Sequence, residues 1–192
     1  MKTKSLPTGF FCGALRNNGL RADGKRIKLS GDVSVNIGAS LPVSFSVNDF
    51  VIFKENASSL EQLGSVSGTI LNETALPGYP LTVSYTLLAK EDGSLATFTS
   101  NGVNYTDVKK VKLTLNLKVN AQVGQFSVNV LSSENQNVLI SEQYYAKNHG
   151  LIKSETNISY SLNPLLADLI TIDFPLSSSQ TINDYLLTKL IN

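Results

Sequence analysis

The segment KVKLTLNLKVN, Lys110–Asn120, decides the fold. Apolar residues alternate with polar residues along it, and the apolar positions are Val111, Leu113, Leu115, Leu117 and Val119. Successive side chains of a β-strand point to opposite faces of the sheet, so this spacing places all five on one face. The segment therefore predicts a half-buried antiparallel strand with one wet side.

The same alternation of apolar and polar residues recurs along the chain, at residues 43–47, 81–87, 126–130 and 152–162. Turn signals separate these segments, and EDG (Glu91–Gly93) and SNG (Ser100–Gly102) have the residues that tight hairpins favour. Short antiparallel strands at this spacing are typical of a sandwich or a barrel. The sequence predicts an all-β, single-domain β-barrel, half-barrel or sandwich and leaves these forms open.

Two segments predict short helices within this β domain. In Phe53–Gly64, Asn56 or Ser58 is a candidate cap and the terminal glycine a candidate end. In Asn163–Ile170, a proline occupies the first helical position, with an apolar loop as the alternative. We expect one antiparallel β domain over residues 31–192, preceded by a poorly assigned segment, residues 1–30.

The composition excludes several classes of protein. Sixteen basic and fifteen acidic residues leave the chain nearly neutral, without the basic surface typical of nucleic-acid binding. No apolar run approaches the roughly 20 residues of a transmembrane helix. The single cysteine, Cys12, and the single histidine, His149, cannot build a structural zinc site. We expect no metal and no cofactor.

The chemical motifs of enzymes are also missing from the sequence. A Ser–His–Asp triad would have to use His149, which precedes a glycine in a polar turn between two predicted strands. Asp168 and Asp173 are five residues apart, on opposite faces of a strand, which disfavours paired acid–base work. The small basic cluster Lys25–Lys28 is typical of a solvated turn, with a phosphate site as the alternative. We expect no catalytic residue.

Aromatic side chains on the sheet are the candidate partner contacts. Such rings dominate many interfaces, although core packing is the alternative for each of them. The candidate interface residues are Tyr79, Tyr85, Tyr144, Tyr145 and His149.

Three motifs in order resemble a group of exported β-rich proteins of Bacteroidetes, TapB-like and others. YYAKNHGLIKSE (Tyr144–Glu155) resembles their YAKGVGLVKSE hairpin, NGVNYTDVKKVKLTLNL their "aGtFkDvikVk" element, and VNIGASLP (Val35–Pro42) their "kvGdtLP" segment. The resemblance covers residues 35–162. It departs where Asn148–His149 replaces Gly-Val and where Tyr105 replaces a common Phe.

The resemblance implies export, often with lipid attachment at a leader cysteine, a β-barrel or half-barrel, and no catalytic residue. The N-terminus only imitates an export signal, because Pro7, Thr8 and Gly9 interrupt its apolar segment. We expect a chain that lacks its natural leader and acts in the periplasm or cell envelope.

Three functions follow as hypotheses. The first is a non-enzymatic cell-envelope module that binds or scaffolds an envelope protein, a glycan or a lipid. The second is a carrier of lipid or another apolar ligand, which requires an apolar cavity of several hundred Å³. The third is an enzyme of unrecognised type.

Overall fold

The described residues of this computed structural model, 18–37, 41–73, 78–166 and 176–185, form ten strands. Cys12, Asp168 and Asp173 lie outside them. The strands are β1 (Gly19–Asp23), β2 (Arg26–Ile37), β3 (Leu41–Lys54), β4 (Gln62–Asn72), β5 (Leu81–Ser100), β6 (Val103–Val123), β7 (Phe126–Asn129), β8 (Gln136–Ala146), β9 (Gly150–Ser161) and β10 (Ser177–Tyr185).

Two antiparallel sheets are built from these strands. The smaller sheet has the order β1-β2-β3, and the larger sheet has the order β10-β9-β8-β6-β5-β4, with β7 paired to β6. Neither ladder of described strands closes into a ring. The all-β antiparallel prediction is confirmed, and the described strands form an open sandwich or half-barrel rather than a closed barrel.

The apolar core lies between the two sheets. The five alternating apolar residues of β6 are each at most 2% exposed, as their spacing predicts. Four of them, Leu113, Leu115, Leu117 and Val119, share a core with Leu29, Val33 and Val43 of the smaller sheet. Phe45 of β3 stacks on Tyr85 of β5 with ring centroids 4.2 Å apart, which locks one sheet onto the other. Each fully buried Leu or Val contributes about 1.5–3 kcal/mol relative to an exposed position.

The predicted helix over Phe53–Gly64 is wrong. β3 continues to Lys54, which pairs with Arg26, and β4 already begins at Gln62. Between them the chain turns, and Leu60 takes a φ of 61°, which a helix cannot accommodate. Strand pairing on both sides has overridden the local helical signals.

The predicted helix at Asn163 begins where the sequence places it. The Asn163 side-chain oxygen accepts a hydrogen bond from the Leu165 N–H at 3.1 Å, and the Leu166 N–H donates to the Asn163 carbonyl at 3.0 Å. Pro164 follows the capping residue. Residues 167–170 lie outside the described residues, so the description covers one helical turn.

One of the two predicted hairpins is confirmed and the other is wrong. Asn101 and Gly102 have φ of 49° and 76° and join β5 to β6, as the two-residue signal predicts. At Glu91–Gly93, by contrast, β5 runs through without turning. The register against β6 shifts between Glu91 and Ser94, and Gly93 has a φ of 107°. The glycine there serves a bulge, which also accepts positive φ.

The described part of the N-terminal segment belongs to the smaller sheet. β1 begins at Gly19 and β2 at Arg26, so the boundary placed at residue 31 falls inside β2. Among the described residues, no helix has both the length and the apolar character needed to cross a membrane.

Gly68 of β4 supplies a test of the packing between the sheets. A Cβ at this position would lie 2.7 Å from the Tyr85 Oη and 2.8 Å from Cζ, and that ring is also stacked on Phe45. Gly68→Ala is therefore expected to lower the free energy of unfolding by about 1–3 kcal/mol through overpacking. Urea unfolding would measure it, with the exposed neighbour Ser67→Ala as the control. Equal stability of the two variants would contradict the packing.

Candidate functional site

A cleft of about 580 Å³ opens where one end of the smaller sheet meets the larger sheet. We call it the hairpin cleft. Its first wall is the β1–β2 hairpin with the end of β3, comprising Ala22, Gly24, Lys25, Arg26, Ile27, Phe53 and Glu55. Its second wall is β6 with the β8–β9 turn, comprising Asp107, Lys109, Tyr145, Ala146, Lys147, Asn148 and Gly150. This volume lies within the range of about 300–1,000 Å³ typical of small-ligand sites.

Two aromatic rings form the base of the cleft. Phe53 packs on Tyr145 with centroids 4.5 Å apart and planes inclined by 33°. The Tyr145 hydroxyl donates to Gln143 Oε1 at 2.5 Å, which fixes the ring, and the residue is only 3% exposed. Strand pairing places both rings, since Phe53 lies opposite Ile27 and Tyr145 lies opposite Lys109. The base is a rigid apolar surface, of which Phe53 is the half-buried part.

Cations outnumber acids in the lining. The cations are Lys25, Arg26, Lys109 and Lys147, and the acids are Glu55 and Asp107. Lys25 lies 3.8 Å from Glu55, whereas the other three cations form no ion pair with an acidic side chain within the described ranges. An excess of unpaired cations around a low-dielectric surface attracts anions.

The β8–β9 turn carries the second rim of the cleft. Asn148 and Gly150 have φ of 63° and 76°, values that Asn and Gly tolerate best. His149 is exposed in this turn, with Nδ1 2.8 Å from the Lys147 carbonyl oxygen and its ring edge-on to Tyr105 at 5.2 Å. No hydrogen bond within the described chain joins it to an acidic side chain. The predicted turn is confirmed.

A network of buried hydroxyl groups lies on the core-facing side of β8 and β9. The Ser141 hydroxyl is 3.2 Å from that of Ser154 and 2.8 Å from that of Thr156, and all three residues are 0% exposed. These groups satisfy one another and have no access to solvent. Gln143 Nε2, beside Tyr145, is buried without a hydrogen-bond partner, which costs about 1–3 kcal/mol.

Tyr144 faces away from the cleft. Its ring stacks on Phe98 at 4.4 Å, so the end of the β5–β6 hairpin covers the outer face of β8. Lys110 Nζ lies 5.8 Å from the ring centroid and 3.0 Å from the Asp92 carboxylate. Burial lowers the pKa of Lys110, but the hydrogen bond and charge of Asp92 outweigh burial and leave that pKa raised. Burial also raises the pKa of the Tyr144 hydroxyl. The surroundings make Tyr144 a packing residue.

The five candidate interface residues are therefore dispersed. Tyr85 and Tyr79 are both partly buried against the core, and Tyr85 stacks on Phe45. Only Tyr145 lines the hairpin cleft, although the turn that holds His149 contributes its neighbours. The sequence reasoning missed Phe53, Lys109 and Lys147, while the basic cluster that it treated as a turn supplies Lys25 and Arg26. Whether any of the five contacts a partner stays a prediction.

Known proteins add no assignment to this site. Comparison with protein-family models, with curated proteins and with solved structures finds no match. The part of the chain that the structure describes contains no group of three His, Cys, Asp or Glu side chains able to hold a metal ion. The functional assignment depends on the shape and charge of the hairpin cleft.

Proposed function

We propose that this protein is a non-enzymatic binding module of the cell envelope, in the periplasm or at the outer surface, and that the hairpin cleft takes its ligand. One observation carries the proposal. A cavity of about 580 Å³ combines a fixed aromatic base, Phe53 on Tyr145, with three cations that form no salt bridge to a described acidic side chain. Convergent polar groups around an apolar base are the usual composition of a ligand site.

The reactive side chains near the cleft support binding over catalysis. His149 is in a solvent-exposed turn, and its Nδ1 is engaged by the Lys147 carbonyl. The Ser141, Ser154 and Thr156 hydroxyls are buried and bonded to one another, and no base among the described side chains contacts them to activate a nucleophile. A site of this composition orients a ligand without transforming it.

The charge of the lining disfavours the apolar-carrier alternative. The cleft reaches the several hundred Å³ that a carrier requires, but six of its lining side chains are Lys, Arg, Asp or Glu. An apolar ligand would strip water from these charges without replacing their hydrogen bonds. The cleft favours a charged ligand.

Blocking the cleft tests the proposal. Ala22 is exposed at the rim, so Ala22→Trp is expected to place an indole in the cleft without disturbing the core. Amide NMR spectra would be titrated with glucuronate, glycerol phosphate and methyl glucoside. We expect shifts on both walls in the natural chain and a loss of at least about tenfold in affinity in the variant.

Ser67→Trp, exposed on β4 and remote from the lining, is the matched control and should bind like the natural chain. Amide shifts confined to residues outside the cleft would refute the assignment of the site. So would amide shifts that are the same in Ala22→Trp as in the natural chain. Fractionation of the native cells tests the location, and recovery of the protein in the cytoplasm would contradict the envelope assignment.

A further inference from the structure

We infer that the ligand of the hairpin cleft is an acidic glycan, a chain of sugar rings that carry carboxylates. The inference rests on the proposed function, because it specifies the chemistry of the ligand in that same cleft. Three features of the lining lead to it: where the cations lie, which acids accompany them, and what forms the base.

The unpaired cations lie on both walls rather than at one point. Arg26 belongs to the β1–β2 hairpin, Lys109 to β6, and Lys147 to the β8–β9 turn. Arginine binds planar carboxylates through two parallel hydrogen bonds, and each lysine adds a separate point charge. The three cations are thus separated in the structure. They suit a ligand whose negative charges are also separated, with one carboxylate on each of several sugar rings.

The two acids of the lining exclude a compact polyanion. Glu55 and Asp107 lie in the same cleft as the cations, and Asp107 forms no ion pair with a described cation. A phosphate cluster would be repelled by them, with several kcal/mol lost for like charges in close contact. Sugar hydroxyls, by contrast, are donors, and carboxylates only accept. A ring with one carboxylate and several hydroxyls matches both kinds of side chain.

The aromatic base suits a ring ligand better than an acyl chain. Phe53 is half-buried over Tyr145, and the Tyr145 hydroxyl is already bonded to Gln143, so the base presents ring surface rather than a hydroxyl. The C–H face of a sugar ring covers such a surface. An acyl chain would offer no hydrogen bonds to the charged side chains that surround this base.

Calorimetric titration of the full chain with uronate trimers tests the inference. The probes are the trimers of galacturonate, mannuronate and glucuronate, with neutral galactose and glucose trimers as matched controls. We expect at least one uronate trimer to bind about tenfold or more tightly than its neutral counterpart, with an affinity that falls as salt rises. Equal binding of the charged and neutral trimers would overturn the inference.

Variants separate the contributions of charge and ring. Lys109→Gln combined with Lys147→Gln is expected to weaken the uronate trimer about tenfold or more and to flatten its salt dependence. Lys112→Gln, on the outer face of the same strand, is the matched control and should leave affinity unchanged. Phe53→Leu should weaken binding while the salt dependence stays. Thermal melts of each variant verify that it is folded.

The outcomes distinguish this inference from the proposed function. Binding of phosphatidylglycerol vesicles, weakened by the double lysine variant, without binding of any uronate trimer would identify a lipid headgroup and overturn the glycan. The glycan is also overturned if the small probes of the proposed-function test shift the cleft amides while no uronate trimer binds. In that case the proposed function stands. If no probe perturbs the cleft, the proposed function fails together with the inference.

Discussion

Leu115→Ala is expected to lower the free energy of unfolding by about 2–5 kcal/mol, because it removes apolar atoms from a packed interior and leaves a cavity. Leu115 is 1% exposed at the middle of β6 and belongs to the core between the two sheets. Equilibrium unfolding in urea, followed by tyrosine fluorescence, measures the effect.

The control for this substitution is the next residue along the strand. Thr114 points to the opposite face, so Thr114→Ala is expected to change stability by no more than about 0.5 kcal/mol. The contrast between neighbours tests the alternation itself. Similar losses at both positions would mean that β6 is covered on both faces, which contradicts the open sandwich.

Glu91→Gln is expected to lower the free energy of unfolding by about 1–3 kcal/mol, since it weakens two part-buried hydrogen bonds to a charged acceptor and leaves one of the two N–H groups without an adequate acceptor. Glu91 is 4% exposed, and its carboxylate accepts the Leu60 N–H at 2.8 Å and the Gly93 N–H at 2.9 Å. It thereby joins the β3–β4 turn to the bulge of β5. Hydrogen exchange at the two amides should accelerate together with the loss of stability.

The matched control is Glu155→Gln, which removes a carboxylate from a half-exposed pair with Lys153. Solvent screens such pairs, so a smaller loss is expected there. If the Leu60 and Gly93 amides exchange at the original rate in Glu91→Gln, the carboxylate is not what holds this turn.

Regular alternation made most of the larger sheet predictable. β6 appears where its apolar positions predict it, and so does the Asn101–Gly102 turn, because both depend on local rules of pleat and dihedral angle. The helix predicted over Phe53–Gly64 failed because β3 and β4 continue into that segment through pairing with distant strands. The turn predicted at Glu91–Gly93 failed for a related reason, since positive φ at a glycine serves a bulge as well as a hairpin.

The cleft was only partly predictable. Both rims were visible as the Lys25–Lys28 cluster and the Tyr144–Glu155 hairpin, but the sequence does not say that two separate sheets bring them together. The sequence does contain one signal for the cleft, namely polar residues at positions where the alternation predicts apolar ones. Lys109 is in register with the apolar positions of β6, and Gln143 is in register with Leu139 of β8. Polar residues on the apolar face mark where the core gives way to the cleft.

The contact between the Phe53 and Tyr145 rings reports on the sheet packing that forms the hairpin cleft, because it exists only if the smaller sheet packs over the larger one at this end. Nuclear Overhauser spectra of the selectively labelled chain would measure it. The centroid separation of 4.5 Å predicts strong cross-peaks between the two sets of ring protons. Cross-peaks from each ring to its own strand neighbours, with none between the rings, would contradict the cleft and the binding function assigned to it.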